Sequence, residues 1–228
     1  PKIEKEYSVG IIGSGPAGLA AADLLRRKGY KVIVYDRYDR VGGLLIYGIP
    51  GFKLEKEIVN RRHELLEQGG VHFQLECEIG RDISFTDLQE KHDAVLIATG
   101  VYKARDIDLV GSELKGVVPA LDYLIASNRK SLGDDVPSFN EGTLNAASKN
   151  VVVVGGGDTA MDCVRTAIRQ NAKSVTCLYR RDRANMPGSQ REVQNAEEEG
   201  VNFQWLSAPT QFLGESKVSS VRAQRIHL

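Results

Sequence analysis

Ser8-Val9-Gly10-Ile11-Ile12-Gly13-Ser14-Gly15-Pro16-Ala17-Gly18-Leu19-Ala20-Ala21-Ala22 decides the fold. Ser8–Ile12 is a short apolar run rich in β-branched residues and reads as a strand. Pro16–Lys28 is rich in Ala and Leu and stops at Gly29, so it reads as a helix with Pro in its first turn and a glycine C-cap. Lys31–Tyr35 is a second β-branched run. Gly13-Ser14-Gly15-Pro16-Ala17-Gly18 is a GxGxxG placed between strand and helix. Each glycine has a physical task there. Gly13 allows the tight turn, Gly15 lets the backbone approach a pyrophosphate, and Gly18 permits close helix–strand packing. The helix N-terminus offers free N–H groups and a positive dipole end to the phosphates. The acid expected about 20 residues on is Asp36, at the end of the second strand, where its carboxylate can accept hydrogen bonds from both ribose hydroxyls. A ligand-free glycine-rich turn is the alternative, but strand, glycines, helix, strand and acid all agree.

Working outward, Leu54–Gln68 predicts a helix ended by Gly69-Gly70, and alternating Val71, Phe73, Leu75 and Cys77 predict a half-buried strand. Ser84-Phe85-Thr86-Asp87 reads as a capped helix start. Asp93–Ala98 is a last apolar strand, ending in Ala98-Thr99-Gly100. From about Val101 to Ser148 the periodicity weakens, with a candidate helix at Val117–Ile125 and a loop at Ser131–Asn145. Then the opening pattern returns: strand Asn150–Val154, helix Thr159–Gln170, strand Ser174–Tyr179, helix Ser189–Glu199 and strand Val201–Trp205, with a final strand at Val218–His227. The fold class is α/β: two Rossmann-like, parallel-sheet dinucleotide-binding domains in tandem, both incomplete. The expected division is 1–105 and 149–228, with 106–148 as a connecting segment.

The second glycine loop, Gly155-Gly156-Gly157-Asp158-Thr159-Ala160, fits GxGxxA, with Ala at the packing position. Its second strand ends differently. Tyr179 is followed by Arg180-Arg181-Asp182-Arg183, where the first site has Asp36. An acid there would repel a 2′-phosphate, whereas an arginine binds one bidentately. The expected ligand is NADPH rather than NADH, with a solvated basic turn as the alternative.

Composition narrows the classes. The chain carries 30 basic and 30 acidic residues among 228, so no overall field points to nucleic acid or an anionic membrane. No apolar run reaches a membrane span, and the charged start lacks an apolar signal core. Cys77, Cys163 and Cys177 form no CxxC and no metal-ligand spacing. They read as buried thiols of a cytoplasmic protein, without the redox pair a disulfide reductase needs. No metal site is expected, and His63, His72, His92 and His227 read as surface or packing residues.

Arg37-Tyr38-Asp39-Arg40-Val41-Gly42-Gly43-Leu44-Leu45 resembles the continuation found in two-dinucleotide-binding flavoproteins, where the Gly-Gly pair lies near the flavin. Ala98-Thr99-Gly100 resembles the strand end at which the chain leaves the FAD domain of that group. The strings YDRYDRVGGLLIYGIPGFKLEK, VVVVGGGDTAMDCVRTAIRQ and LYRRDRANMPGSQREV resemble the small subunits of bacterial glutamate synthase, within a group that includes the reductase half of dihydropyrimidine dehydrogenase. The resemblance implies FAD contacts at Gly13, Ser14, Gly15, Pro16, Ala17, Gly18, Asp36, Gly43, Leu44, Lys53, Ile79, Thr99 and Gly100. It implies NADPH contacts at Gly155, Gly156, Gly157, Asp158, Thr159, Ala160, Arg180, Arg181 and Arg183. It further implies hydride passage from NADPH to FAD, and onward electron flow through 4Fe-4S clusters to a glutamate synthase large (alpha) subunit. Hydride transfer itself needs no protein acid or base, so no catalytic side chain is assigned.

Two parts of that pattern are missing from the chain, the cluster-ligating cysteines and the Gly-Asp motif that holds the ribityl chain. The start at Pro1 and the stop at Leu228 therefore read as the bounds of a fragment, expected to bind FAD poorly by itself. The rival enzyme is a related NADPH/FAD reductase module feeding ferredoxin or a pyrimidine-reducing domain; co-purifying subunits discriminate. A rival of another class is a non-catalytic NADP-binding regulator, which would be colourless where the flavoprotein is yellow-brown.

Overall fold

In the computed structural model, β1 (Ser8–Ile12) pairs in parallel with β2 (Lys31–Tyr35), Ser8 opposite Lys31 and Ile12 opposite Tyr35. The helix α1 (Pro16–Arg27) makes the crossover between them. It is followed after β2 by a short α2 (Leu44–Tyr47), then α3 (Lys56–Gln68), β3 (Val71–Gln74), α4 (Phe85–Lys91) and β4 (Ala94–Ile97). The structure describes residues 3–103 and 107–227. They divide into two compact units, Pro1–Tyr102 and Lys103–Leu228. The boundary expected at 105/106 falls outside the described residues.

The first unit holds a four-stranded parallel sheet in the order β3-β2-β1-β4. Alternation along β1 and β2 fills both faces, while Leu96 and Ile97 of β4 stay exposed. Val9, Ile11, Val32 and Val34 pack with Leu19 and Ala22 of α1 on one side. On the other, Tyr35, Cys77 and Leu88 are buried against Ile12, Ile33 and Val95. A parallel sheet covered on both faces needs such near-continuous apolar strands. Gly18 sets the spacing of α1 on the sheet. A Cβ there would lie 1.9 Å from the Gly13 carbonyl oxygen, so the helix approaches to backbone contact. The start of α4 has the expected cap, with Ser84 Oγ accepting from the Asp87 N–H at 3.0 Å. His92 serves packing. It fills the space left by Gly10, hydrogen-bonds the Tyr35 hydroxyl at 2.9 Å, and burial pulls its pKa below the usual histidine range.

In the second unit the order is α5 (Ala120–Ser131), α6 (Pro137–Asn140), β5 (Asn150–Val154), α7 (Asp158–Arg169), β6 (Ser174–Leu178), α8 (Gln190–Glu198), β7 (Asn202–Gln204), β8 (Ser207–Gly214) and β9 (Val218–Arg225). Strands β5, β6 and β7 make a parallel sheet in that order, and β8 and β9 pair as an antiparallel hairpin. The helix expected at Val117–Ile125 starts later and runs further, because Pro119 caps it and its apolar face lies on α7. The Tyr123 hydroxyl donates to Gln170 Oε1 at 2.9 Å, and Gln170 Nε2 donates to Ser127 Oγ at 2.9 Å. Much of 107–148 packs within the second unit. β8 escaped the sequence reading because Pro209 and its bulge break the period-2 alternation.

α7 is buried on most of its circumference, which places Arg165 in the interior at 8 % exposure. Arg165 meets Glu192 at 2.7 Å and Glu199 at 2.8 Å, and Arg169 also binds Glu199. Burial alone would raise the Glu199 carboxyl, but hydrogen bonds from Arg169 and Arg165 overcome it and bring it down to about 2. Because the folded value is depressed, the stabilisation is complete above the unfolded carboxylate range and is lost as pH falls from there toward about 2. Glu199→Gln is expected to cost about 2 kcal/mol at neutral pH, since it leaves two guanidiniums short of a partner. Denaturant titrations at neutral and acid pH check this. The gap between wild type and variant should close toward pH 2, and a pH-independent gap would show that the carboxylate charge is not what matters.

Candidate functional site

Three chain segments meet at the carboxyl ends of β1, β2 and β4. The Gly13 N–H donates to the Tyr35 carbonyl at 2.7 Å, turning the chain at the end of β1 with φ +107°. A Cβ on Gly13 would lie 2.4 Å from the Ala98 carbonyl oxygen and 3.3 Å from Thr99 Cα, so the Ala98-Thr99 strand end is packed on the turn. Gly42 and Gly43 fold back from the other side. Gly42 N–H donates to the Ser14 carbonyl at 3.1 Å, and a Cβ on Gly43 would come within 2.9 Å of Gly15 Cα. Gly43, at φ +53°, is also the residue from which Leu44 begins α2.

Gly15 itself faces open space, with nothing within 4 Å of an added Cβ. Its helix, α1, has no side-chain cap, and Pro16 and Ala17 form its first turn. The N–H groups there are left for an external acceptor. Asp36 is buried at 8 % exposure and clamps the loop: Oδ2 accepts from Ser14 N–H at 2.7 Å and Ser14 Oγ at 2.6 Å. Oδ1 accepts from Tyr38 N–H at 2.9 Å, which leaves it a further lone pair for a ribose hydroxyl. Gly100 follows Thr99 in the left-handed region at φ +69°. Lys53 lies exposed on the turn after Pro50, and Ile79 is half-buried against Tyr35, Cys77 and Leu88.

Sequence reading missed one wall of this site. The Arg37 guanidinium lies 5.1 Å from the Tyr38 ring centre and 4.9 Å from that of Tyr102, and the Tyr102 hydroxyl is the side-chain atom nearest an added Gly43 Cβ, at 3.5 Å. Burial, with the neighbouring Tyr38 and Asp36, pushes the Tyr102 phenol up to about 12, so it stays a neutral donor. The only available signal was its place two residues after Gly100.

The second unit repeats the arrangement. Gly155 turns at φ +140°, its N–H donating to the Leu178 carbonyl at 3.1 Å. Gly157 again faces open space, and α7 again lacks a side-chain cap. Ala160 takes the packing position and is buried. Gly156 is covered by the Tyr179 ring, which a Cβ would meet at 2.5 Å. Asp158 and Thr159 are exposed on the first turn of α7. Beyond Tyr179, Arg180, Arg181 and Arg183 are all exposed. Arg183 pairs with Glu197 at 2.9 Å, whereas neither Arg180 nor Arg181 has an ion-pair partner among the described residues. Two cationic forks therefore stand free at a strand end beside an uncapped helix N-terminus. Sequence reading also missed Gly188 and Ser189. Gly188 N–H donates to the Gly156 carbonyl at 3.0 Å, and Ser189 N–H donates to Asp158 Oδ1 at 3.0 Å.

Both glycine loops fit a dinucleotide: each presents a bare backbone and uncapped N–H groups to open space, with the Asp36 carboxylate or the free arginines Arg180 and Arg181 near the end of the next strand. Residues 7–226 match the pyridine nucleotide-disulphide oxidoreductase family. The chain belongs to that family. Its own thiols are buried and free, and burial raises the pKa of all three, that of Cys177 to about 12. Thiols held protonated in this way are not poised for disulfide exchange.

Among curated proteins, the chain is 66 % identical over 228 residues to the glutamate synthase [NADPH] small chain of Azospirillum brasilense, covering all of this chain and 47 % of that one. It is 49 % identical over 222 residues to the protein of the same name from Escherichia coli (strain K12), covering 96 % of this chain and 47 % of that one. It spans about half the length of these relatives. Among solved structures, Mycobacterium tuberculosis FprA, in its His57Gln mutant, superposes with a TM-score of 0.82 at 18 % identity, covering 97 % of this chain and 64 % of that one, a likeness of fold.

Proposed function

We propose that this chain is the electron-input part of an NADPH-dependent glutamate synthase small chain, with FAD on the first unit and NADPH on the second. One observation carries the reading: the free pair Arg180 and Arg181 follows directly on Tyr179, which stands just past β6 where Asp36 stands just past β2. The two glycine loops are alike, so the residue at the strand end distinguishes the ligands. An acid takes a ribose hydroxyl, and a free arginine pair takes a 2′-phosphate. When bound, NADPH supplies a hydride and FAD accepts it and hands electrons on singly.

The residues of this chain do the holding. Gly13–Gly18 and the α1 N-terminus grip one pyrophosphate, and Gly155–Gly157 and the α7 N-terminus grip the other. Ser14 holds the Asp36 carboxylate at the ribose. Gly43 closes on Gly15, where a Cβ on Gly43 would stand 2.9 Å from Gly15 Cα. Leu44, Lys53, Ile79, Thr99 and Gly100 complete the FAD site, and Asp158, Thr159 and Arg183 border the NADPH site. Iron–sulfur clusters outside this chain carry electrons to the large subunit, and the assembly works in the cytoplasm. The reading draws support from the 66 % identity to a named small chain across every residue of this one.

The test is anaerobic addition of NADPH, and separately NADH, to the purified full-length protein that contains this chain, while the oxidised-flavin absorption is recorded. Bleaching by NADPH at concentrations where NADH is ineffective, together with co-purification of a glutamate-forming large subunit, is the expected result. A colourless protein, or a flavin band that NADPH leaves unchanged, would overturn it.

A further inference from the structure

The loop that carries the free arginines is fastened at both ends to the glycine loop of the second unit. At its start, the Tyr179 ring lies on Gly156 so closely that a Cβ there would be 2.5 Å from the ring. At its end, Gly188 N–H donates to the Gly156 carbonyl at 3.0 Å, and Ser189 N–H donates to Asp158 Oδ1 at 3.0 Å. Between these points Met186 is anchored in the core at 6 % exposure, and Asp182 Oδ1 accepts from Asn185 N–H at 2.8 Å. Gly156 is therefore pinched between Tyr179 and Gly188, and Asp158 reaches across from the first turn of α7 to hold the loop where α8 begins.

We propose that Asp158 and Gly188 form a latch that sets the spacing between the phosphate-binding glycine loop and Arg180–Arg181, and through that spacing sets the preference for a 2′-phosphorylated dinucleotide. The inference rests on the NADPH reading of this unit. Its physical basis is the short reach of the ligand. The pyrophosphate and the 2′-phosphate are carried on one ribose, so the two groups of the protein that read them must lie within the span of that ribose and its 5′ linkage, and a productive site holds such groups to about 0.5 Å. An unphosphorylated dinucleotide makes no demand on the second group and is indifferent to the latch. Asp158 is a positioning residue here. At a helix N-terminus its carboxylate opposes the phosphate it lies near, and that cost is offset by what it holds.

Two substitutions separate the latch from the charge. Asp158→Asn and Asp158→Ala both remove the negative charge, so any relief of repulsion is the same in the two variants. Only Asp158→Ala also removes the acceptor for Ser189 N–H. Gly188→Ala attacks the other fastening, because its Cβ would stand 3.0 Å from the Gly156 carbonyl oxygen. With Tyr179 behind it, Gly156 has no room to retreat, so the arginine loop must lift.

The experiment is calorimetric titration of NADPH and NADH into the full chain, as wild type and each variant. The expected result is an NADPH Kd in Asp158→Ala about five- to tenfold above that in Asp158→Asn, with equal NADH Kd in the two. Gly188→Ala should likewise lower the NADPH:NADH preference. Equal NADPH Kd in Asp158→Ala and Asp158→Asn, or a parallel loss for NADH, overturns the latch. A wild type that binds the two nucleotides equally well overturns the arginine reading itself, and the latch with it, before any variant is made.

Discussion

Replacing Arg180 and Arg181 together with alanine is expected to raise the Kd for NADPH by roughly two to four orders of magnitude, from about 1.5–3 kcal/mol for each charged hydrogen bond removed. NADH binding should stay nearly unchanged. The size of the effect follows from what the side chains do in the structure. Both are exposed and neither is committed to a carboxylate among the described residues, so removing them costs the fold little. Arg183 is different, being held by Glu197 at 2.9 Å, and its loss should weaken NADPH less. Exposed charges are screened by salt, so the loss should shrink as ionic strength rises. Titrating both nucleotides against the double variant decides the matter. Equal weakening of the two would mean that the arginines do not read the 2′-phosphate.

Gly15→Val and Gly157→Val are expected to abolish two different cofactors. Both glycines have extended backbones that any L residue adopts, at φ −69°, ψ −178° and φ −90°, ψ 175°. Nothing lies within 4 Å of an added Cβ at either position. A valine is therefore compatible with the fold, and its side chain enters the space in front of an uncapped helix N-terminus. A pyrophosphate displaced from there loses several charge-assisted hydrogen bonds, for a fall in affinity on the order of a thousandfold or more. Gly15→Val should yield protein without flavin colour. Gly157→Val should keep the flavin but leave it oxidised when NADPH is added. The opposite pattern, with flavin lost only in Gly157→Val, would exchange the two assignments. Neighbouring glycines would not serve as well. A Cβ at Gly18 would strike the Gly13 carbonyl oxygen at 1.9 Å, so unfolding and ligand loss would be confounded.

The amino-acid sequence by itself determined the two βαβ units, the glycine loops, Asp36 and the arginine run. Each of these is written in roughly 30 contiguous residues whose periodicity switches from two to 3.6 and back. A strand, its turn and the helix that follows are local, so their spacing survives without knowledge of the rest. What only the tertiary structure decided lies between segments distant in the chain. The order β3-β2-β1-β4 brings the end of β4 against the end of β1, which seats Ala98 and Thr99 on Gly13 and carries Tyr102 to Arg37 and Gly43. Buried Ser14 made Asp36 a brace for the loop, a contact across 22 residues. Gly188 and Ser189 reached the second glycine loop only because α8 starts beside α7. Much of 107–148, weak in pattern, took its place from α5 lying on α7. The physical reason is the same in each case. A hydrogen bond or a Cβ-sized gap between remote segments depends on how the strands are ordered and how closely the layers approach, and neither quantity is carried by local periodicity.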